Sequence, residues 1–197
     1  MLHTSQRLVV AAFGATLAVG SPARAQDASP RTHAWEFLVS SGRLLPTGAQ
    51  RDVLKAGNLT SAQVTFVINP IVAVTSSLGW ARSRDASSAD DAKLNVFMYD
   101  IGAELRAPFT SAGDRVTARP FAGVGLGARS YSARSLEKAR HHPAGYLAAG
   151  GEVGTSRVRL RLEGRDYLTR FSALDGRTGA QARNDVVLMA GLRIGRQ

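Results

Sequence analysis

The chain has 197 residues, enough for one domain, and 44% of them are hydrophobic, so a core or an apolar belt can be built. It contains no cysteine, which excludes disulfides and thiolate metal sites. The formal charge is +10, carried almost wholly by arginine, with lysine only at Lys55, Lys93 and Lys138.

Arg7 precedes the short apolar run Leu8 to Val19. Ser21-Pro22 and the small-residue site Ala23-Arg24-Ala25 follow. A positive start, an apolar stretch too short to span a bilayer and an A-x-A site make a signal peptide over 1–25. Cleavage after Ala25 removes Arg7 and Arg24 and lowers the charge to +8. Residues 26–33 are then a periplasmic N-terminal segment and 34–197 the folded domain. No later stretch has about 18 consecutive apolar residues, so an exported chain either stays soluble or inserts as a barrel. Export argues against nucleic acid as the partner of the basic charge.

Eight segments alternate with period two. In 34–44, Trp35, Phe37 and Val39 oppose Glu36, Ser40 and Gly42. In 62–69 the apolar set is Ala62, Val64, Phe66 and Ile68, and in 72–81 it is Val72, Val74, Leu78 and Trp80. Residues 94–109 set Phe97, Tyr99, Ile101 and Leu105 against Asp100, Glu104 and Arg106. In 118–130, Val124 and Leu126 oppose Gly123, Gly125, Gly127 and Arg129; in 145–154, Leu147 and Val153 oppose Tyr146, Gly150 and Glu152. Residues 157–167 alternate Val158, Leu160 and Leu162 with Arg157, Arg159, Arg161, Glu163 and Arg165. The last segment, 184–195, sets Val186, Leu188, Leu192 and Ile194 against Asp185, Val187, Met189 and Arg193. A helix would scatter those charges, whereas a strand gathers them on one face.

The connections, 45–60, 69–71, 84–93, 109–116, 132–143, 155–156 and 172–183, alternate long and short, as in barrels with long outer loops and short periplasmic turns. Glycines share the charged parity, which suits a narrow lumen. The expected fold is therefore all-β: a closed, antiparallel, up-and-down eight-stranded transmembrane β-barrel. Its lumen carries Asp100, Glu104, Arg106, Arg129, Glu152, Arg159, Arg161, Glu163, Arg165 and Arg193. Trp35, Trp80, Phe97, Tyr99 and Phe109, on the apolar parity near strand ends, are its interfacial aromatics. Tyr131, Tyr146, Tyr167 and Phe171 fall on the lumen parity.

These features, with the ending Val186 to Gly195, resemble the small outer-membrane β-barrel families, the OmpA-like and OmpW-like barrels, over about 34–197. Ser41 to Gly48 looks like the first hairpin of such barrels. The resemblance implies outer-membrane lipid and lipopolysaccharide as surroundings and the barrel-assembly machinery as a partner during insertion. Gly191 and the final alternation match the family's last strand. Ile194, followed by Gly195-Arg196-Gln197, stands where the family has a terminal aromatic.

No catalytic set is evident. No mature histidine has serine two residues on, as the lipid A deacylase barrels require. His141-His142 fall in the 132–143 loop, and Asp85, Asp90 and Asp91 do not have EF-hand spacing. Gly123 to Gly127 lacks the dinucleotide spacing, and Asn58-Leu59-Thr60 is a lone sequon. No metal and no cofactor is expected. Arg134, Lys138, Arg140, Arg177 and Arg183 are loop cations suited to lipopolysaccharide phosphates, although solvated charges account for them equally. The expected function is a non-enzymatic structural, envelope or surface-contact role in the cell outer membrane, with a lumen plugged by salt bridges. The alternatives are a narrow channel for small solutes, anions included, and a soluble periplasmic barrel carrying a lipophilic ligand inside.

Overall fold

A computed structural model describes residues 34–48, 51, 54–85, 93–111, 116–133, 140–171 and 181–195. The signal peptide, the 26–33 segment, and loop residues Asp90, Asp91, Arg134, Lys138 and Arg177 lie outside the described residues, as do the side chains of Arg140, Phe171 and Arg183. The strands are β1 (Ala34–Pro46), β2 (Gly57–Val67), β3 (Val72–Arg84), β4 (Lys93–Arg106), β5 (Thr110–Ser111), β6 (Thr117–Ala133), β7 (Arg140–Gly154), β8 (Val158–Phe171) and β9 (Gln181–Gly195). Each long strand pairs antiparallel with its chain neighbours, β4 pairs with β6, and β1 pairs with β9. Eight strands therefore close on themselves, and β5 is a stub on β6 beyond the end of β4.

The register fixes the shape. Cross-strand partners run from Trp35 through Phe66, Val74, Ala103, Val124, Leu147, Asp166 and Val186 back to β1 at Leu45. One circuit thus returns ten residues further along β1. With ~3.3 Å per residue and ~4.8 Å between strands, that stagger tilts the strands by about 40°, and each residue climbs about 2.5 Å along the axis.

Turn chemistry sets the end that holds both termini of the barrel. Asn69 Oδ1 accepts from the N–H groups of Ile71 and Val72, each at 2.8 Å. Thr155 Oγ1 accepts from Val158 N–H at 3.2 Å, and Gly154 enters that turn at φ 152°, which a side chain disfavours. The alternation of connection lengths fails at one place. Residues 107–116, at the same end, are as long as the outer 47–56 connection, because Phe109 folds back and β5 extends the hairpin. The strands also run further toward the outer end than the apolar pattern, since ladder hydrogen bonds do not need apolar side chains. His141 and His142 consequently lie on β7, opposite Ser130 and Arg129, and not in a loop.

The apolar parity faces outward. Among the described residues twenty-five large apolar side chains are exposed, Leu126 at 71% and Val39 at 64% among them. In water such a continuous surface would drive association; it suits hydrocarbon. The soluble-carrier alternative needed those side chains inside, and the parity contradicts it. Along the axis the apolar outer surface runs for about 25 Å, the height of a membrane belt. Trp35 packs on Phe66 at one margin, with ring centroids 5.0 Å apart. Trp80 stacks on Phe97 near the other, at 6.4 Å. Val124 lies midway between them, so Val124→Arg is expected to destabilise the barrel refolded with lipid vesicles by ~2–4 kcal/mol. Urea unfolding in vesicles measures it.

Candidate functional site

The inward parity builds the site. Among the described residues seven arginines (Arg106, Arg119, Arg129, Arg159, Arg161, Arg165 and Arg193) and six acids (Glu36, Asp100, Glu104, Glu152, Glu163 and Asp185) are buried. All ten lumen charges named from the sequence are among them, and Glu36, Arg119 and Asp185 join them. Glu36 and Asp185 already stood on the charged parity of their strands, so parity plus charge would have found them. Arg119 lies at the start of β6, before the alternation becomes regular.

The network is layered. At the terminal end Glu36 accepts from Arg159 Nη2 at 2.6 Å and from Arg193 Nη1 at 3.0 Å, and pairs with Arg106 Nη2 at 2.9 Å. Glu152 takes Arg119 Nε on one oxygen at 3.0 Å and Arg161 Nη1 on the other at 2.8 Å. One layer up, Arg161 spends its guanidinium on three acids, reaching Glu104 at 2.6 Å, Glu163 at 2.7 Å and Glu152. Arg165 then bridges Glu163 at 2.5 Å and Asp100 at 3.2 Å, and donates to Gln63 Oε1 at 2.7 Å. Tyr167 Oη donates to Asp100 at 2.6 Å. Higher still, Arg129 pairs with Asp185 at 2.9 Å and lies 3.9 Å over the Tyr167 ring.

Aromatic rings cover the flat faces of these arginines. Arg161 sits 3.4 Å over Phe121 and Arg165 4.9 Å over Tyr146. The wall glycines make room for the rings. A Cβ at Gly125 or Gly102 would collide with Tyr146, and one at Gly150 with Phe121. Gly151 faces outward with nothing nearer than 3.8 Å.

In the outer third of the lumen apolar side chains share the space with the Arg129–Asp185 pair, which the charged pattern did not suggest. Leu44, Leu59, Leu94, Val96, Met98, Val187 and Met189 form one cluster, joined by Leu54 from the β1–β2 connection. Leu54 pairs with Asp85 across the outer rim. The signal was present: Met98, Val187 and Met189 share the charged parity. Of the five interfacial aromatics, Trp35, Trp80, Phe97 and Tyr99 are exposed on the barrel wall. Phe109 is half-buried, with Arg119 4.4 Å from its ring, because the 107–116 connection turns it toward the lumen mouth.

The lumen is closed. Glu36, Arg129, Arg159, Asp185 and Arg193 are 0% exposed, so no water-sized sphere touches them. A cavity of ≈ 10 Å³ beside Met98, Asp100, Arg165 and Met189 is about the size of one water. Among the described residues no group of three His, Asp or Glu could hold a metal ion.

No protein-family profile and no curated protein matches the sequence. Solved structures do match its fold. Neisserial surface protein A (NspA) is similar with a TM-score of 0.60 at 12% identity, over 82% of this chain and 97% of that one. The N-terminal β-barrel domain of Pseudomonas aeruginosa OprF is similar with a TM-score of 0.51 at 11% identity, over 82% and 96%. The chain has the fold of the small eight-stranded outer-membrane barrels. At these identities the likeness is one of fold, and the lumen chemistry is read from this chain's own residues.

Two outcomes test the packing. Arg161→Met leaves three acids short of a partner and is expected to cost ~3–5 kcal/mol. Gly125→Ala is expected to cost ~1–3 kcal/mol by overpacking Tyr146, while Gly151→Ala stays near neutral. Urea titration in detergent, followed by tryptophan fluorescence, checks both.

Proposed function

We propose that the protein is an outer-membrane β-barrel with a structural or surface-contact role in the cell envelope, which neither conducts solutes nor catalyses a reaction. The observation that carries this reading is the closed lumen: fully buried ion pairs along its length and an apolar cluster at its outer end. An ion entering would have to break several charge-assisted hydrogen bonds at once, each costly in a dry interior. The apolar belt and its aromatic margins support lipid as the surroundings. Insertion through the barrel-assembly machinery belongs to the same reading and rests on β9, whose outward face ends on Leu192 and Ile194.

The channel reading has one observation in its favour, the excess of seven buried guanidiniums over six carboxylates among the described residues. An open, cation-lined constriction would favour anions. Planar-bilayer recording of the mature chain separates the two. The proposal expects no unitary conductance steps across ±100 mV or so; resolved anion-selective steps would overturn it and install the channel.

A further inference from the structure

Apart from Asp166 on β8, the charges described on the outward face of the strands lie at one place that the belt does not explain. Arg43 on β1, Arg82 and Arg84 on β3, and Lys93 on β4 all point outward near the outer end and are exposed. Their neighbours in register are polar as well. Arg43 faces Asn58, Asn58 faces Arg82, and Arg82 faces Asn95, while Arg84 faces Lys93. With ~4.8 Å between strands, Arg43 and Arg82 stand about 10 Å apart along that row. They rise between roughly 20 and 35 Å above Trp35 along the axis and so straddle the outer margin of the belt. The outward residues described at the same rim on β6, β7 and β9, such as Ser132, Pro143 and Asn184, carry no charge. Among the described side chains the outward cations are therefore gathered on one side of the barrel.

Below them lies a built aromatic floor. Trp80 stacks on Phe97, its Nε1 donates to Asn95 Oδ1 at 3.1 Å, and the Arg82 guanidinium lies 4.2 Å over its ring. From above, the β1–β2 connection is pinned to the same rim: Lys55 N–H donates to Arg84 O at 3.0 Å, and Ser83 Oγ donates to Lys55 O. Asp85 is the acid described at this edge. Cations directed sideways at a hydrocarbon margin, over aromatic rings, complement an anionic headgroup whose chains run down the wall. Arginine forks suit phosphate oxygens, and several cations spread over ~10 Å suit more than one phosphate.

We propose that this rim of β1, β3 and β4 is a binding site for a multiply phosphorylated glycolipid, the lipid A portion of lipopolysaccharide in the outer leaflet. The inference rests on the outer-membrane reading above. The phosphates pair with Arg43, Arg82, Arg84 and Lys93, and the acyl chains lie against Trp80 and Phe97.

The test uses the mature chain refolded in detergent and titrated with diphosphorylated lipid A, dephosphorylated lipid A or phosphatidylglycerol. Binding is read from the unfolding midpoint and from retention through gel filtration. The expected result is at least tenfold tighter binding of the diphosphorylated form than of either other lipid. Arg43→Gln/Arg82→Gln/Arg84→Gln/Lys93→Gln is expected to lose that preference, while Arg157→Gln, at the opposite end, keeps it. If the fourfold variant does not regain its heat-modifiable band, Arg43→Gln/Arg82→Gln replaces it. Equal binding of all three lipids, or a preference that survives the rim substitutions, would overturn the site and leave the outer-membrane reading standing. A chain that stays folded and monomeric in water without detergent would overturn both.

Discussion

Closure of the sheet between β1 and β9, with its ten-residue stagger, is the constraint from which the rest of the molecule follows. In hydrocarbon every backbone N–H and C=O needs a partner, and a sheet with edges leaves two rows unpaired. Pairing Phe37 with Ile194 and Leu44 with Val187 removes both edges. It also fixes the tilt, and the tilt fixes an interior that side chains of eight strands just fill. Long side chains inside then need glycines on the wall. Tyr146 lies against Gly102 and Gly125, and Phe121 against Gly150.

Filling that interior with charge is a costly choice, since buried ion pairs often stabilise less than apolar side chains of equal volume. Here the apolar side chains are needed outside, and a chain apolar on both faces would aggregate before it inserted. Charge inside keeps the two faces distinct. The cost falls when each ion has several partners, and the network is built that way: Arg161 serves Glu104, Glu152 and Glu163, while Glu36 serves Arg106, Arg159 and Arg193. Ring faces of Phe121 and Tyr146 cover the flat faces of Arg161 and Arg165, whose N–H edges the carboxylates hold. In the outer third the network thins to the Arg129–Asp185 pair, and Leu54 joins the apolar cluster beside it.

Most of the fold was legible because strand period and barrel face are the same property. Val158, Leu160 and Leu162 against Arg159, Arg161, Glu163 and Arg165 leave one geometry open, and the barrel adopts it. What escaped were features that parity does not encode. The place of Phe109 depends on how the 107–116 connection folds back. His141 and His142 join β7 because backbone pairing outlasts the apolar pattern. The partners of Glu36 come from β4, β6, β8 and β9 and are set by the stagger, which no single segment records. The cationic rim was hidden for the same reason: Arg43, Arg82 and Lys93 lie on different strands and become neighbours only through the register.

The central claim is an inside-out barrel with a dry, closed lumen, and accessibility along one strand tests it most directly. The chain has no cysteine, so each introduced thiol is unique. Single substitutions from Val72→Cys to Ala81→Cys along β3 would be spin-labelled in lipid vesicles and their collisions with oxygen and with an aqueous nickel complex measured. The account predicts a period of two, with positions 72, 74, 76, 78 and 80 open to oxygen and closed to nickel, and 73, 75, 77, 79 and 81 closed to both. Nickel reaching the inward set would mean a water-filled lumen, and nickel reaching the outward set would mean that no membrane surrounds the barrel.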